Sequence, residues 1–174
     1  MRRCNKGDRR AQEFLFNKFY KSLYLISKRY LVDHYLTEDA VILTFTRVFK
    51  NLKRFSYQGP GSLGKWIRTI SINESLRLLK RNSIRFDDDL TGIQEENGEA
   101  SGLEQLQAED IMCMIEKLPT GYRTVFNLFA VEGYTHREIA GMLGITESTS
   151  KSQLKKARNS LITSINKERR YEAK

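Results

Sequence analysis

Residues 82–110 carry nine carboxylates against one base, Arg85, and their centre, DDDLTGIQEENGEASG, offers almost nothing a core could bury. A chain of 174 residues interrupted in this way does not close around one hydrophobic centre. The composition predicts two small domains, 1–82 and 106–174, joined by a flexible acidic linker over 83–105. The flanks have the opposite sign. Residues 1–81 hold eighteen bases against six acids and residues 111–174 eleven against six, which leaves a formal net charge of +9. Two basic lobes imply a polyanionic partner, either nucleic acid or an anionic membrane surface.

Several function classes are excluded early. No apolar run approaches the roughly 18 residues of a membrane span, and MRRCNKGDRRAQ lacks the apolar core of a signal peptide. The expectation is a cytoplasmic protein without membrane insertion. Cys4, Cys113, His34 and His136 share no metal-ligand spacing, so neither a metal nor another cofactor is expected and both thiols are read as reduced. GPGSLG at Gly59–Gly64 fits the dinucleotide fingerprint G-x-G-x-x-G, but that motif needs a preceding strand and a βαβ unit. Here it follows an amphipathic helical pattern and reads as a glycine-rich loop between two helices. No nucleophile, base and orienter set stands out, so the chain is read as no enzyme.

The apolar spacing predicts an all-α fold. Ala11, Phe14, Leu15 and Phe19 recur at helical intervals, as do Leu23, Ile26 and Tyr30. A third helix is expected from Thr37 as N-cap, burying Val41, Phe45, Val48, Phe49 and Leu52. After SYQGPGSLG, Ser62 is the predicted cap of a fourth helix that runs to about Arg81, with Leu63, Trp66, Ile67 and Ile70 inward. Beyond the acidic stretch, Leu103, Leu106, Ile111, Ile115 and Leu118 predict a helix ended at the Leu118–Pro119 step, and Val125, Phe126 and Phe129 form the next stripe.

Residues 135–158 then read as a helix-turn-helix. Thr135 and Glu138 satisfy the capping box, Ile139, Ala140 and Leu143 face inward, Gly144 supplies the turn, Ile145 plugs it and Thr146 caps the second helix. On that helix Ser150, Leu154, Ala157 and Leu161 share the inner face, which leaves Ser148, Lys151, Ser152, Lys155, Lys156 and Asn159 outside. Long cations and short hydroxyls are what a helix in the DNA major groove presents. Ser150 sits where a β-branched apolar residue would pack better. Its hydroxyl is expected to bond back to the Thr146 carbonyl and the helix to be less firmly seated.

The first lobe adds a resemblance. KGDRRAQEFLFNKFYKSLYLISKRY, TEDAVILTFTRVFKNLKRF and GPGSLGKWIRTISINESLRLLKRN resemble region two of the extracytoplasmic-function (ECF) sigma factors of bacterial RNA polymerase, within the sigma-70 family. LPTGYRTVFNLFAVEGYTHREIAGMLGITESTSKSQLKKAR resembles their region four. The likeness spans about residues 6–165 without the acidic linker, and relative to the family the chain starts late, as though a few leading residues were absent.

The resemblance implies a transcription initiation factor that binds the clamp and flap of core RNA polymerase, recognises promoter DNA and promotes its melting. It places minus-35 contacts at Lys151, Ser152, Lys155, Lys156 and Arg158, to which the helical spacing adds Ser148. It places minus-10 contacts along Phe55–Lys65 and at Asn73, where Lys53, Arg54, Tyr57, Lys65 and Arg68 supply the aromatic and basic groups that hold single-stranded bases. Trp66 is read as core. Polymerase docking falls on the third helix, at Thr37, Glu38, Asp39, Arg47 and Lys50. Ile42 and Leu43 there replace a Gln and an acid, which means either a more apolar contact or a rotated helix. An anti-sigma factor is the further partner implied. The competing reading is a helix-turn-helix regulator whose first lobe is a helical sensor or dimerisation domain.

Overall fold

The computed structural model describes residues 2–5, 7–82 and 108–172, and among them every regular element is helical. The chain divides into two compact units, Met1–Ser83 and Ile84–Lys174. The centre of the acidic linker and the predicted core positions Leu103 and Leu106 lie outside the described residues.

In the first unit a short helix α1 (Arg2–Asn5) precedes α2 (Arg9–Leu31), α3 (His34–Asn51), a 3₁₀ turn (Leu52–Arg54) and α4 (Ser62–Asn82). The two apolar stretches expected to be separate helices are one helix, α2. Its middle holds neither Gly nor Pro, and Ser22 turns its hydroxyl onto the Phe19 carbonyl instead of breaking the ladder. Asp8 caps it by accepting from the Ala11 amide, a bond that holds the Asp8 carboxyl below its ordinary value together with the Arg3 guanidinium. α2 ends at Val32, whose φ of 61° is rare for a β-branched residue. The next residue compensates: the Asp33 carboxylate accepts from the Leu36 amide and starts α3. Asp33, not Thr37, is thus the cap. Thr37 is fully buried with its hydroxyl donated to the Asp33 carbonyl, which removes it from the exposed candidates.

α2, α3 and α4 pack pairwise around Leu23, Tyr30, Val41, Val48, Ile67 and Ile72, all shielded from water. Each such aliphatic side chain contributes about 1.5–3 kcal/mol on burial. The inner stripe of α2 is narrower than predicted, since Phe14 stays 68% exposed.

The second unit runs through α5 (Ala108–Glu116), α6 (Thr120–Phe126), a π turn (Asn127–Val131), α7 (His136–Leu143) and α8 (Glu147–Glu172). Val125 is buried and Phe126 and Phe129 are half-buried. Buried Arg123 donates to the Leu118 and Glu116 carbonyls at 2.7 and 3.2 Å, so a cation closes the C-terminal end of α5 and ties it to α6. Gly121 lets α8 come close. A Cβ there would lie 3.2 Å from the side-chain nitrogen Nε2 of Gln153.

Candidate nucleic-acid interface

Each unit carries one surface that fits the sequence expectations, and each is built by local chemistry. In the second unit the Thr135 hydroxyl accepts from the Glu138 amide while the Glu138 carboxylate accepts from the Thr135 amide at 2.8 Å, which completes the capping box. The Thr135 amide, and the Thr135 hydroxyl donating to the same carboxylate oxygen at 2.7 Å, hold the Glu138 carboxyl below its ordinary value. Gly144 closes α7 in the left-handed region at φ 75°, and the Thr146 hydroxyl accepts from the Thr149 amide to start α8. With the turn fixed, Ser150, Leu154 and Ala157 face inward. Ser148, Lys151, Ser152, Lys155, Lys156 and Arg158 are all exposed, as expected.

They do not all point one way. Ser148, Ser152 and Lys155 lie opposite the buried stripe, with Lys151 on one shoulder. Lys156 is on the other shoulder with its ammonium 5.9 Å from the Tyr122 ring, and Arg158 leans over Phe129 at the same distance.

Ser150 departs from the expectation. Its amide completes the helix by donating to the Thr146 carbonyl, but its hydroxyl lies 2.8 Å from Nδ1 of His136, on the other helix. The His136 ring in turn stacks on Phe129, centroids 4.5 Å apart and planes 21° from parallel. The site expected to be loosest is cross-linked. Apolar periodicity carried no signal for this, because both partners are polar.

In the first unit the loop after the 3₁₀ turn is shaped by Gly59 and Gly61, at φ 103° and 81°, on either side of Pro60. Ser62 does not cap α4. Its hydroxyl donates to the Gly59 carbonyl at 2.7 Å and accepts from the Gln58 amide, which knits the loop to the first turn. Two cavities flank this region and share Arg54 and Trp66. One, of about 440 Å³, includes Phe55, Gln58 and Lys65, and the other, of about 320 Å³, includes Arg47, Asn73 and Glu74. Trp66 is therefore a half-buried partition, not a core residue, with Phe55 against it at 5.0 Å. The structure brings Arg54, Lys65 and Asn73 together at these cavities. Tyr57 projects outward, and Lys53 and Arg68 line neither cavity.

The sequence reading missed Glu74. It is 1% exposed and holds two arginines: Arg47 Nε binds one carboxylate oxygen, and Arg77 Nε and Nη2 donate to the other at 3.0 and 2.8 Å. The signal was present, because Ile67, Ser71, Glu74 and Leu78 follow the inward 4-3-4 spacing and an acid in that stripe requires a partner.

Arg47 is thereby committed to α4 rather than standing free on α3. The outer stripe of α3 is Tyr35, Asp39, Ile42, Thr46 and Lys50, with Glu38 and Leu43 half-buried beside it. Ile42 is 59% exposed while Ala40 and Val41 are fully buried, so the helix is not rotated to hide its apolar pair. Glu38 lies 3.5 Å from His34 Nε2.

Comparison with known proteins agrees with both halves. The chain matches the family Sigma-70 region 2 over residues 15–84 and Sigma-70, region 4 over residues 108–161. The ECF RNA polymerase sigma factor SigE of Mycolicibacterium smegmatis is 26% identical over 145 residues, 80% of this chain and 55% of that protein. The ECF sigma factor SigM of Bacillus subtilis is 22% identical over 152 residues, 86% and 89% of the two chains. Among solved structures, the sigma factor RpoE in complex with the anti-sigma factor NepR from Bartonella quintana aligns with a TM-score of 0.51 at 21% identity, over 86% of this chain and 92% of that one. The two family matches in order along one chain, with a helix-turn-helix in the second, place this protein in the sigma-70 family of RNA polymerase sigma factors, in its ECF group.

Proposed function

We propose that the chain engages core polymerase and promoter DNA through three separate surfaces, with unit Met1–Ser83 reading the minus-10 element and the helix-turn-helix reading the minus-35 element. The observation that carries this is the outward composition of α8: hydroxyls and lysines at Ser148, Ser152, Lys151 and Lys155 surround a helix whose opposite stripe is sealed. Such a helix places cations for phosphates and short donors for base edges.

Arg54, Lys65 and Asn73, converging on two cavities divided by Trp66, supply charge and an aromatic wall for unstacked bases of a melted strand. The Tyr35, Asp39, Ile42 and Lys50 stripe of α3 is the polymerase-docking face, as a more apolar contact than the family pattern implies. The protein catalyses no reaction itself and acts in the cytoplasm, with an anti-sigma factor as a further partner. Among the described residues no helix is long and apolar enough to cross a membrane. The boundary of the first domain is near residue 82 and the second begins near 106.

Run-off transcription with purified chain and core polymerase tests this reading: transcripts from a cognate promoter that require both components are expected. DNA occupancy without any polymerase-dependent transcript would instead favour a stand-alone helix-turn-helix regulator.

A further inference from the structure

We propose that His136 and Ser150 are positioning residues that fix the roll of α8 on α7, and so decide which bases the outer face of α8 can reach. The inference rests on the assignment of that face to the minus-35 element.

Apolar contacts are non-directional: α7 and α8 pack together with Ile139, Leu143 and Leu154 buried, but such burial leaves rotation about the axis of α8 weakly determined. A hydrogen bond restricts both distance and angle. The Ser150–His136 bond is 2.8 Å long and joins the first turns of the two helices, at residues 14 apart in sequence. The other side-chain caps of this motif, Thr135 with Glu138 and Thr146 with Thr149, each close within one turn and fix no inter-helix angle.

The imidazole is itself held. Its stack on Phe129 belongs to the π turn, and the Arg158 guanidinium returns from α8 to the same ring at 5.9 Å. α8 is thereby gripped twice on one flank, at Ser150 and two turns later at Arg158. Ser150 is fully buried and is immediately followed by Lys151, so the pin lies beneath the residues that face outward. A roll of about 20° would move groups on the surface of a helix of about 5–6 Å radius by roughly 2 Å, more than the range of distances over which a hydrogen bond persists.

The test uses the full chain with core polymerase and promoters that differ only in the minus-35 element, and reads the ratio of transcript from cognate and substituted promoters. Ser150→Val fills the site with the apolar side chain that packing alone favours, and His136→Phe keeps the stack on Phe129 while removing the nitrogen. Both are expected to lower the ratio about fivefold or more, the scale of a lost base contact, while unfolding of the second unit shows no loss of stability for Ser150→Val. Ser150→Thr, which keeps the hydroxyl, is expected to retain the ratio. If Ser150→Val and His136→Phe discriminate as the parent does while Lys151→Ala and Lys155→Ala do not, the pin is overturned and the groove face stands. If the lysine variants also discriminate as the parent does, the groove-face assignment fails and takes the pin with it. Should Ser150→Val fail to fold, His136→Phe against Ser150→Thr decides the same question.

Discussion

Removing the charge of Glu74 should have opposite effects in two backgrounds. In the parent chain both carboxylate oxygens are engaged, one by Arg47 and one by two nitrogens of Arg77, and the carboxylate is shut off from water while the arginine side chains are about half exposed (50% and 48%). Glu74→Gln weakens charge-assisted bonds but leaves two arginines that can turn to solvent, a loss of about 1–2 kcal/mol. Arg47→Ala with Arg77→Ala leaves an uncompensated buried carboxylate, which costs about 3–5 kcal/mol. In that background Glu74→Gln removes the stranded charge and should restore stability.

Urea unfolding of the full chain followed by tryptophan fluorescence isolates the effect, because Trp66 is the sole tryptophan and lines the same cavity as Arg47 and Glu74. Equal destabilisation by Glu74→Gln in both backgrounds, within about 0.5 kcal/mol, would refute the account of Glu74 as a buried anion held by two cations.

The remaining expectations concern the candidate surfaces and the capping box. Lys151→Ala or Lys155→Ala should weaken minus-35 binding by about 1–3 kcal/mol where the lysine meets a base, as read by competition between promoters at fixed salt. Ile42→Asp should reduce affinity for core polymerase while leaving the unfolding midpoint close to the parent's, since Ile42 is mostly exposed; a pull-down and a melting curve read the two effects. Glu138 has a folded-state pKa below its ordinary 4.5, so its contribution to stability is present above that value and lost as pH falls through the lower one. The difference in unfolding midpoint between parent and Glu138→Gln should accordingly shrink as the pH falls below 4.5 and through the lowered value.

The legible parts of this chain were those governed by period and by local bonding. Val41, Val48, Ile67, Ile139 and Leu154 announce their burial by spacing, and the Thr135 box, Gly144 and Thr146 by residue type at fixed offsets. What escaped was decided by tertiary partners. Thr37 has the chemistry of a cap, but Asp33 four residues earlier captures the Leu36 amide first. Ser62 serves the preceding loop rather than its own helix. Trp66 follows the inward spacing near the start of α4, yet half of it faces the two cavities, and periodicity cannot register where a helix leaves the bundle. The partner of Ser150 lies on another helix, and Glu74 draws one of its two arginines, Arg47, from α3. Spacing can say that a polar residue points inward, but not which group meets it.

The loop around Pro60 has a kinetic consequence. Two left-handed glycines, a proline and the Ser62 bonds restrict the backbone from Gln58 to Ser62 before any strand arrives. Its conformational entropy is therefore lost when the domain folds, and under the proposed minus-10 role it need not be lost again on binding DNA. A surface ordered in advance changes the lifetime of a complex more than its rate of formation. Loosening this turn, as by replacing Pro60 with glycine, should shorten the residence of the polymerase on melted promoter while leaving the first encounter with duplex nearly untouched.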